Sequence, residues 1–179
     1  MHLHDHLRQF DLDLDPALRD GPAVPAATQR ALTSSLAAAP ALWRPIVRHD
    51  SDQRWYTRLL LTDVVELWLI GWAPGQRTRP HDHGGAAGAL TVAEGALHEV
   101  VFVPGAGDRH RARWRASART HATGAAVGFG PAHVHLVGNR TGAAATSIHA
   151  YSPPALPMNF PNVGRAWTEL GTGPAGVPA

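Results

Sequence analysis

The stretch "WAPGQRTRPHDHGG" (residues 72–85) sets His81 and His83 one residue apart, behind a Pro-Gly turn and ahead of the apolar run "GALTVAEG". In extended backbone, residues i and i+2 point to the same side, so two imidazoles at this spacing stand together and can share one ion. In a helix they would diverge by about 200°. The same His-Asp-His tripeptide occurs in "HLHDHL" (residues 2–7), beside a segment that reads as helix, so those histidines are expected on the surface. His81 and His83 are therefore the candidate metal ligands.

Outward from this stretch lie short β-branched or aromatic runs: "RWYTRLLL", "VVELWLIGW", "ALHEVVFV", "HRARWRA", "AAVGFG", "HVHLVGN" and "TSIHAYS". Turn-forming "TD", "EG", "PGAGD", "ATG" and "NRTG" separate them. Many short strands punctuated in this way predict an all-β sandwich or barrel. The N-terminal sequence differs. "DPALRD" carries an Asp-Pro helix start and "PAATQRALTSSLAAAPALW" is Ala/Leu-rich behind a proline, so residues 1–44 read as helical. The expected organisation is a single domain. It comprises an N-terminal helical segment (1–50) packed on the barrel, the β-barrel (51–160) and a C-terminal tail (161–179).

Spacing sharpens the fold. Gly75, five residues, His81, one residue, His83 and eleven residues to Gly95 reproduce the first motif of cupins, which are jelly-roll β-barrels. Gly124, His135 eleven positions on and Asn139 four beyond match the second motif, with Gly130 and Ala132 replacing its usual Pro and Gly. The chain thus resembles a cupin in which His135 joins His81 and His83. His133, two residues earlier, is the weaker candidate for that place. The first motif's usual glutamate ligand falls at Gly88; Glu94 and Glu99 lie in the following strand and hairpin. Three neutral imidazoles leave a divalent ion its full charge and about three open positions in an octahedral shell. That suits an anionic chelating substrate plus dioxygen on ferrous iron, although three histidines with an open position also serve zinc.

Over residues 55–160 the chain resembles the cysteine dioxygenase family of thiol dioxygenases, in its bacterial type. The resemblance is carried by "YTR" (56–58), "WAPGQRTRPHDH" (72–83), "HLVGN" (135–139) and "SIHAYSPP" (147–154). It implies Fe(II) on His81, His83 and His135, and insertion of both atoms of O₂ into a thiol sulfur to give a sulfinate. It also implies that Arg58 pairs with the substrate carboxylate, a planar two-point grip that lysine would not reproduce. Tyr56 and Trp72 are expected to line the pocket. Ser147, His149 and Tyr151 are expected to form a relay with the phenol towards the metal, and period-two alternation in "SIHAY" puts all three on one face. Met158 lies in the pocket-edge stretch "SPPALPM", as a gap-filler or a substrate contact. The Cys–Tyr crosslink of animal members is excluded, since the chain has no cysteine and Gly88 occupies the corresponding place.

The resemblance makes a small carboxylate-bearing thiol the expected substrate, with L-cysteine first and cysteine sulfinate its product. 3-Mercaptopropionate and a heterocyclic thiol such as ergothioneine are the alternatives. The small-residue run "GGAAGA" (84–89) is expected to leave room for the bulkier of these, and Arg165 reads as a surface arginine or a second anion contact. Two readings from other classes stay open: a zinc or manganese cupin isomerase or hydrolase, and a non-catalytic ligand-binding cupin.

Composition narrows the field. The absence of cysteine among 179 residues removes disulfides, thiolate zinc sites and thiol nucleophiles together. All sixteen basic residues are arginine, and with so little titrating between His and Tyr a net charge of +2 carries the pI to about 9.9. The run "RHRARWRASAR" (109–119) alternates with small or apolar residues, as a solvated strand face does, so no nucleic-acid partner is expected. No apolar run approaches the roughly 18 residues of a membrane span. The start "MHLHDHLRQF" lacks the basic and apolar regions of a signal peptide. A cytoplasmic monomer or small homo-oligomer acting on a small thiol and O₂, without a membrane partner, is the expectation.

Overall fold

The computed structural model describes residues 1–10, 15–105 and 114–167, with residues 165 and 167 as backbone only. Within it the short apolar runs become strands β1 (His2–Leu3), β2 (Trp55–Leu61), β3 (Glu66–Trp72), β4 (Ala87–Glu94), β5 (Ala96–Pro104), β6 (Trp114–Ala122), β7 (Ala126–Phe129), β8 (Val134–Gly138) and β9 (Ala145–Ser152). They pair antiparallel into a larger sheet, ordered β1-β2-β3-β9-β4-β7, and a smaller one, ordered β6-β5-β8. This is the two-sheet barrel that the spacing of the histidine motifs predicts.

Alternation along each strand sorts residues between an inner and an outer face. On β3 and β9, Leu67, Leu69, Ile148 and Ala150 are buried on the outer face of the larger sheet, in one cluster with Leu59, Val24 and Trp43. Helices α1 (Ala26–Ala37) and α2 (Pro40–Trp43) cover this cluster, with Leu32 and Leu36 packed against it. The intervening positions Glu66, Trp68, Ile70 and Trp72, together with Ser147, His149 and Tyr151, line a cavity inside the barrel or stand at its wall. The smaller sheet repeats the arrangement. Val100, Phe102, Val134 and Leu136 form an outer cluster covered by Val163 and Ala166 of the C-terminal segment.

The N-terminal region departs from the expected run of helices. Residues 2–3 extend the larger sheet as β1, paired with β2, and residues 5–9 and 16–18 form single 3₁₀ turns. "DPALRD" does start a turn, with Asp15 accepting from the Ala17 N–H, but Gly21, at φ 138°, and the prolines at 22 and 25 stop it from propagating. The described part of the arginine-rich run, from Trp114, places Arg115 and Arg119 on the exposed face of β6; residues 109–113 lie outside the described residues. Residues 168–179 of the expected tail also lie outside them. No helix among the described residues is long and apolar enough to cross a membrane.

One buried hydroxyl ties the N-terminal segment to the barrel. Ser152 Oγ donates to the Val64 carbonyl at 2.6 Å and accepts from the Val24 N–H at 2.8 Å. Replacing it with alanine leaves two buried backbone groups without partners. Ser152→Ala should lower stability by about 2–4 kcal/mol, read as a shift of the denaturant midpoint at unchanged m-value.

Candidate metal centre and its cavity

His81 and His135 meet through the backbone. The His81 N–H donates to the His135 carbonyl and the His135 N–H to the His81 carbonyl, both at 2.9 Å, forming an isolated antiparallel bridge. His83 lies in the loop just beyond. The ring centroids are 4.8 Å (His81–His135), 5.0 Å (His83–His135) and 5.1 Å (His81–His83) apart. One nitrogen from each ring lies within 4.8 Å of the others, so the three form a metal-binding group. All three side chains are buried.

Hydrogen bonds settle which nitrogen faces inward. His81 Nδ1 is 2.8 Å from the Arg79 carbonyl, and His135 Nδ1 is 2.7 Å from Glu99 Oε1. Both partners are acceptors, so each Nδ1 carries the proton and each Nε2 keeps its lone pair. His83 is the informative member, because both of its nitrogens are buried without any partner. A buried ring nitrogen left unsatisfied is costly unless something outside the protein satisfies it, and a cation at the centre of the triad does so. The donor set fits a divalent transition metal, and Glu99, on the far side of His135, is no ligand to it.

Glu99, a poor candidate ligand by its spacing, has a role that sequence reasoning missed. Its carboxylate accepts from His135, from His133 Nε2 at 3.2 Å and from His121 Nε2 at 2.9 Å. Burial opposes its ionisation, but the bonds from His133, His135 and His121 hold its carboxyl well below the usual carboxylate range. His133 is thereby taken up by Glu99 and stacked on Phe129 at 4.6 Å, rather than joining His81 and His83. Glu99, His133 and His135 also lie close enough to hold an ion, but His135 Nδ1 is already committed to Glu99 there. Asn139 likewise does structural work: it donates to the carbonyls of Trp72 and Ala143 and so joins the ends of the two motifs.

The position of the missing glutamate is filled. A Cβ at Gly88 would sit 2.5 Å from Phe129 Cε2, and the Phe129 ring stacks on His83 at 4.9 Å. Gly84 is similarly closed over by Leu156 and Pro157. The small residues at 84 and 88 therefore admit neighbouring protein atoms, whereas Ala86 of the same run lines the cavity.

Around the triad is a cavity of about 390 Å³. Ser147, His149 and Tyr151 form the expected row: Ser147 Oγ to His149 Nε2 at 2.8 Å and His149 Nδ1 to Tyr151 Oη at 3.1 Å. Trp72 extends it, its indole N–H donating to Ser147 Oγ at 2.9 Å. Indole only donates, so it occupies one acceptor site of the Ser147 hydroxyl. With the Ser147 hydroxyl donating to His149 Nε2, His149 Nδ1–H donates to the phenol oxygen and the phenol hydrogen is free to point elsewhere; in the other tautomer His149 Nε2–H donates to Ser147 and the phenol donates to Nδ1. Burial, then His135 and Arg54, push the His149 pKa down to about 3. Burial and the Glu66 charge push the Tyr151 phenol above its ordinary value, so Tyr151 is a neutral donor.

Of the other expected contacts, Arg58, Tyr56 and Met158 line the outer cavity, Tyr56 and Met158 largely exposed at its rim. Arg58 pairs with Glu66 at 3.7 Å and lies over Trp68 at 5.2 Å. Arg54, immediately before β2, also lines the cavity, although the sequence does not distinguish it from other arginines. The Arg165 side chain lies outside the described residues.

Comparison with known proteins agrees with this geometry. The family model for cysteine dioxygenase type I matches residues 18–160. The chain belongs to the cysteine dioxygenase type I family. Solved structures place this family member among cupin-like double-stranded β-helices. One is an uncharacterized conserved protein with a double-stranded β-helix domain from Klebsiella pneumoniae, at 18% identity and TM-score 0.50, covering 65% of this chain and 90% of that one. Another is oxalate oxidase in complex with glycolate, at 18% and 0.50, covering 62% and 56%. TT1209 from Thermus thermophilus is similar at 20% and 0.48, covering 62% and 92%. A search of curated protein sequences returns no match. At these identities the structural likeness is one of fold, and the family rests on the sequence match.

Two measurements test this account of the cysteine dioxygenase family site. Glu99→Gln replaces the carboxylate on which His135 Nδ1–H is anchored. It should weaken metal binding roughly 10- to 100-fold, measured by chelator competition on protein with unchanged circular dichroism. Acid should act on the metal-free protein through His81 and His83. Burial, with the charges of neighbouring histidines, lowers their pKa values from 6.5 to about 4 and about 2. Below the unfolded value of 6.5 the unfolded chain binds more protons than the folded one. The melting temperature of metal-free protein should accordingly fall as pH drops from 6.5 towards 4, and bound metal should offset part of that loss.

Proposed function

We propose that the protein is a non-haem Fe(II) thiol dioxygenase. It adds both atoms of O₂ to the sulfur of a small carboxylate-bearing thiol, with L-cysteine as first substrate and cysteine sulfinate as product. The observation that carries the reading is the three-imidazole group, which no carboxylate joins among the described residues, facing the same cavity as a hydrogen-bonded Tyr-His-Ser-Trp row and two guanidiniums. Family membership supports it. 3-Mercaptopropionate and ergothioneine are the alternative substrates.

His81, His83 and His135 would hold the iron. When bound there, ferrous iron supplies the one-electron chemistry with dioxygen that no side chain can perform. The balance is that of thiol plus O₂ to sulfinic acid, with no external reductant. The protein contributes placement. Guanidiniums on the β2 side of the cavity, among them Arg58, draw the carboxylate and limit the poses that the sulfur can take. Tyr151, when its hydroxyl oxygen accepts from His149 Nδ1–H, has its hydrogen available to oxygen atoms of the reacting group, where charge develops. Trp68, Ile70 and Val137 give the wall an apolar surface that excludes water.

An oxygen electrode decides between this reading and its rivals. Protein loaded anaerobically with Fe(II) should consume one O₂ per sulfinate formed from cysteine or 3-mercaptopropionate, the product being heavier than the thiol by two oxygen atoms. Metal analysis of protein purified without added metal should find iron. Stoichiometric zinc or manganese with no thiol-dependent O₂ uptake would instead favour an isomerase, hydrolase or ligand-binding cupin.

A further inference from the structure

The three histidines of the metal group are not held alike. His81 and His135 are tied by the backbone bridge between them, and each gives its Nδ1 proton to an acceptor, the Arg79 carbonyl and Glu99 Oε1. His83 has no such support, since neither of its ring nitrogens has a partner among the described residues. Its backbone is fixed, with the carbonyl accepting from the Ala86 N–H at 3.0 Å, but that leaves the side-chain torsions open. Beyond its fellow ligands, the rings packed on it are Phe129 and Tyr151, both at 4.9 Å and both with an interplanar angle of 26°. Phe129 and Tyr151 are themselves 6.4 Å apart, so they form a corner, not a sandwich, and His83 sits in it.

Tyr151 belongs to the polar row, whereas Phe129 has no hydrogen-bonding group and is buried at the end of β7. It is paired with Gly88 across the β4–β7 ladder, and the bare backbone there admits its ring. The same ring stacks on His133 at 4.6 Å and 16°, and His133 donates from Nε2 to Glu99. A metal-binding imidazole is ordinarily oriented by a hydrogen bond at its far nitrogen, and a site keeps its geometry only where each ligand's rotamer is locked. We propose that Phe129 is a positioning residue of the metal centre. By stacking it seats His83, and it carries the anchorage of Glu99 and His133 over to the one ligand that lacks a hydrogen bond. The carboxylate that orients His135 directly thus steadies a second ligand through two stacked rings. A stacked face fixes the plane of an imidazole but not which nitrogen bears the proton. The bound metal therefore selects the His83 tautomer, whereas protein acceptors select it for His81 and His135.

This inference uses the metal of the dioxygenase reading and none of its thiol chemistry. Phe129→Leu keeps most of the apolar volume and removes the stacking face. Leu32→Ala, on helix α1 against the outer cluster, is the control that lowers stability away from the site. Chelator competition with Co(II) should show binding weakened roughly 10-fold or more in Phe129→Leu and unchanged in Leu32→Ala. The visible bands of bound Co(II) should shift in the first variant alone. In a His83→Ala background Phe129→Leu should cost little further affinity, because the ligand it seats is gone. The metal-free unaltered protein gives a check that needs no variant. Nitrogen NMR at neutral pH should find His81 and His135 with the proton fixed on Nδ1, and His83 as an average of both tautomers. Unaltered Co(II) binding and bands in Phe129→Leu, an undiminished loss in the His83→Ala background, or a His83 locked in one tautomer by a slowly exchanging N–H would overturn the assignment. So would an unaltered protein that binds no Co(II). If Phe129→Leu does not fold, Phe129→Met goes through the same titrations. Iron-loaded protein that makes no sulfinate would reject the dioxygenase reading, while the Co(II) titrations still decide the role of Phe129.

Discussion

Two backbone hydrogen bonds between His81 and His135 hold the centre together. They bridge residues that are 54 positions apart in sequence, outside any regular ladder, and so bring the two histidine motifs into one site. Each strand or turn around them serves that bridge. Gly138 is paired with Arg77, and Thr78 hydrogen-bonds to Val137, so the loop bearing His81 is laid along β8 before it reaches the metal. The triad's geometry is therefore a property of the backbone, with the imidazoles attached to a frame already in register.

Around that frame the protein distributes polarity with economy. The larger sheet uses one side of β3 and β9 for packing under helices and the other for chemistry. Leu67, Leu69, Ile148 and Ala150 alternate with Glu66, Trp68, Ile70, Ser147, His149 and Tyr151. Placing the polar row on a central strand makes it rigid, because neighbours on both sides hold β9 in register. Glu99 does for the smaller sheet what Trp72 does for the larger one. Each comes from an adjacent strand: Glu99 fixes the tautomer of His135 directly, and Trp72 anchors the row at Ser147.

What could be read from the sequence follows from distance along the chain. His81 with His83, and Ser147 with His149 and Tyr151, are local patterns in which period-two alternation dictates a shared face, and the structure brings each group together. His135 was legible because its motif has a fixed spacing of its own. Glu99 was not, because its tie to His135 spans 36 positions and depends on the register of β5 against β8. Arg54 was hidden differently. Among sixteen arginines nothing in the sequence marks the one that lines the cavity beside Arg58, a placement visible only once the surroundings are assembled. The N-terminal helices were over-read, since Ala/Leu-rich composition does not reveal where Gly21 and nearby prolines cut them short.

The contact between Phe129 and the backbone at Gly88 has an evolutionary corollary. A carboxylate cannot return to position 88 while the ring at 129 occupies its space, and removing the ring alone would strip His83 and His133 of the surface on which they stack. Neither replacement is a favourable first step, and the Ala150 carbonyl, 2.9 Å from the same Cβ, would still crowd a side chain at 88. Descent from this chain to an enzyme with a four-ligand centre is thus obstructed by sterics, whatever the benefit of the altered chemistry, and the all-nitrogen donor set is locked in by a neighbour that never touches the metal.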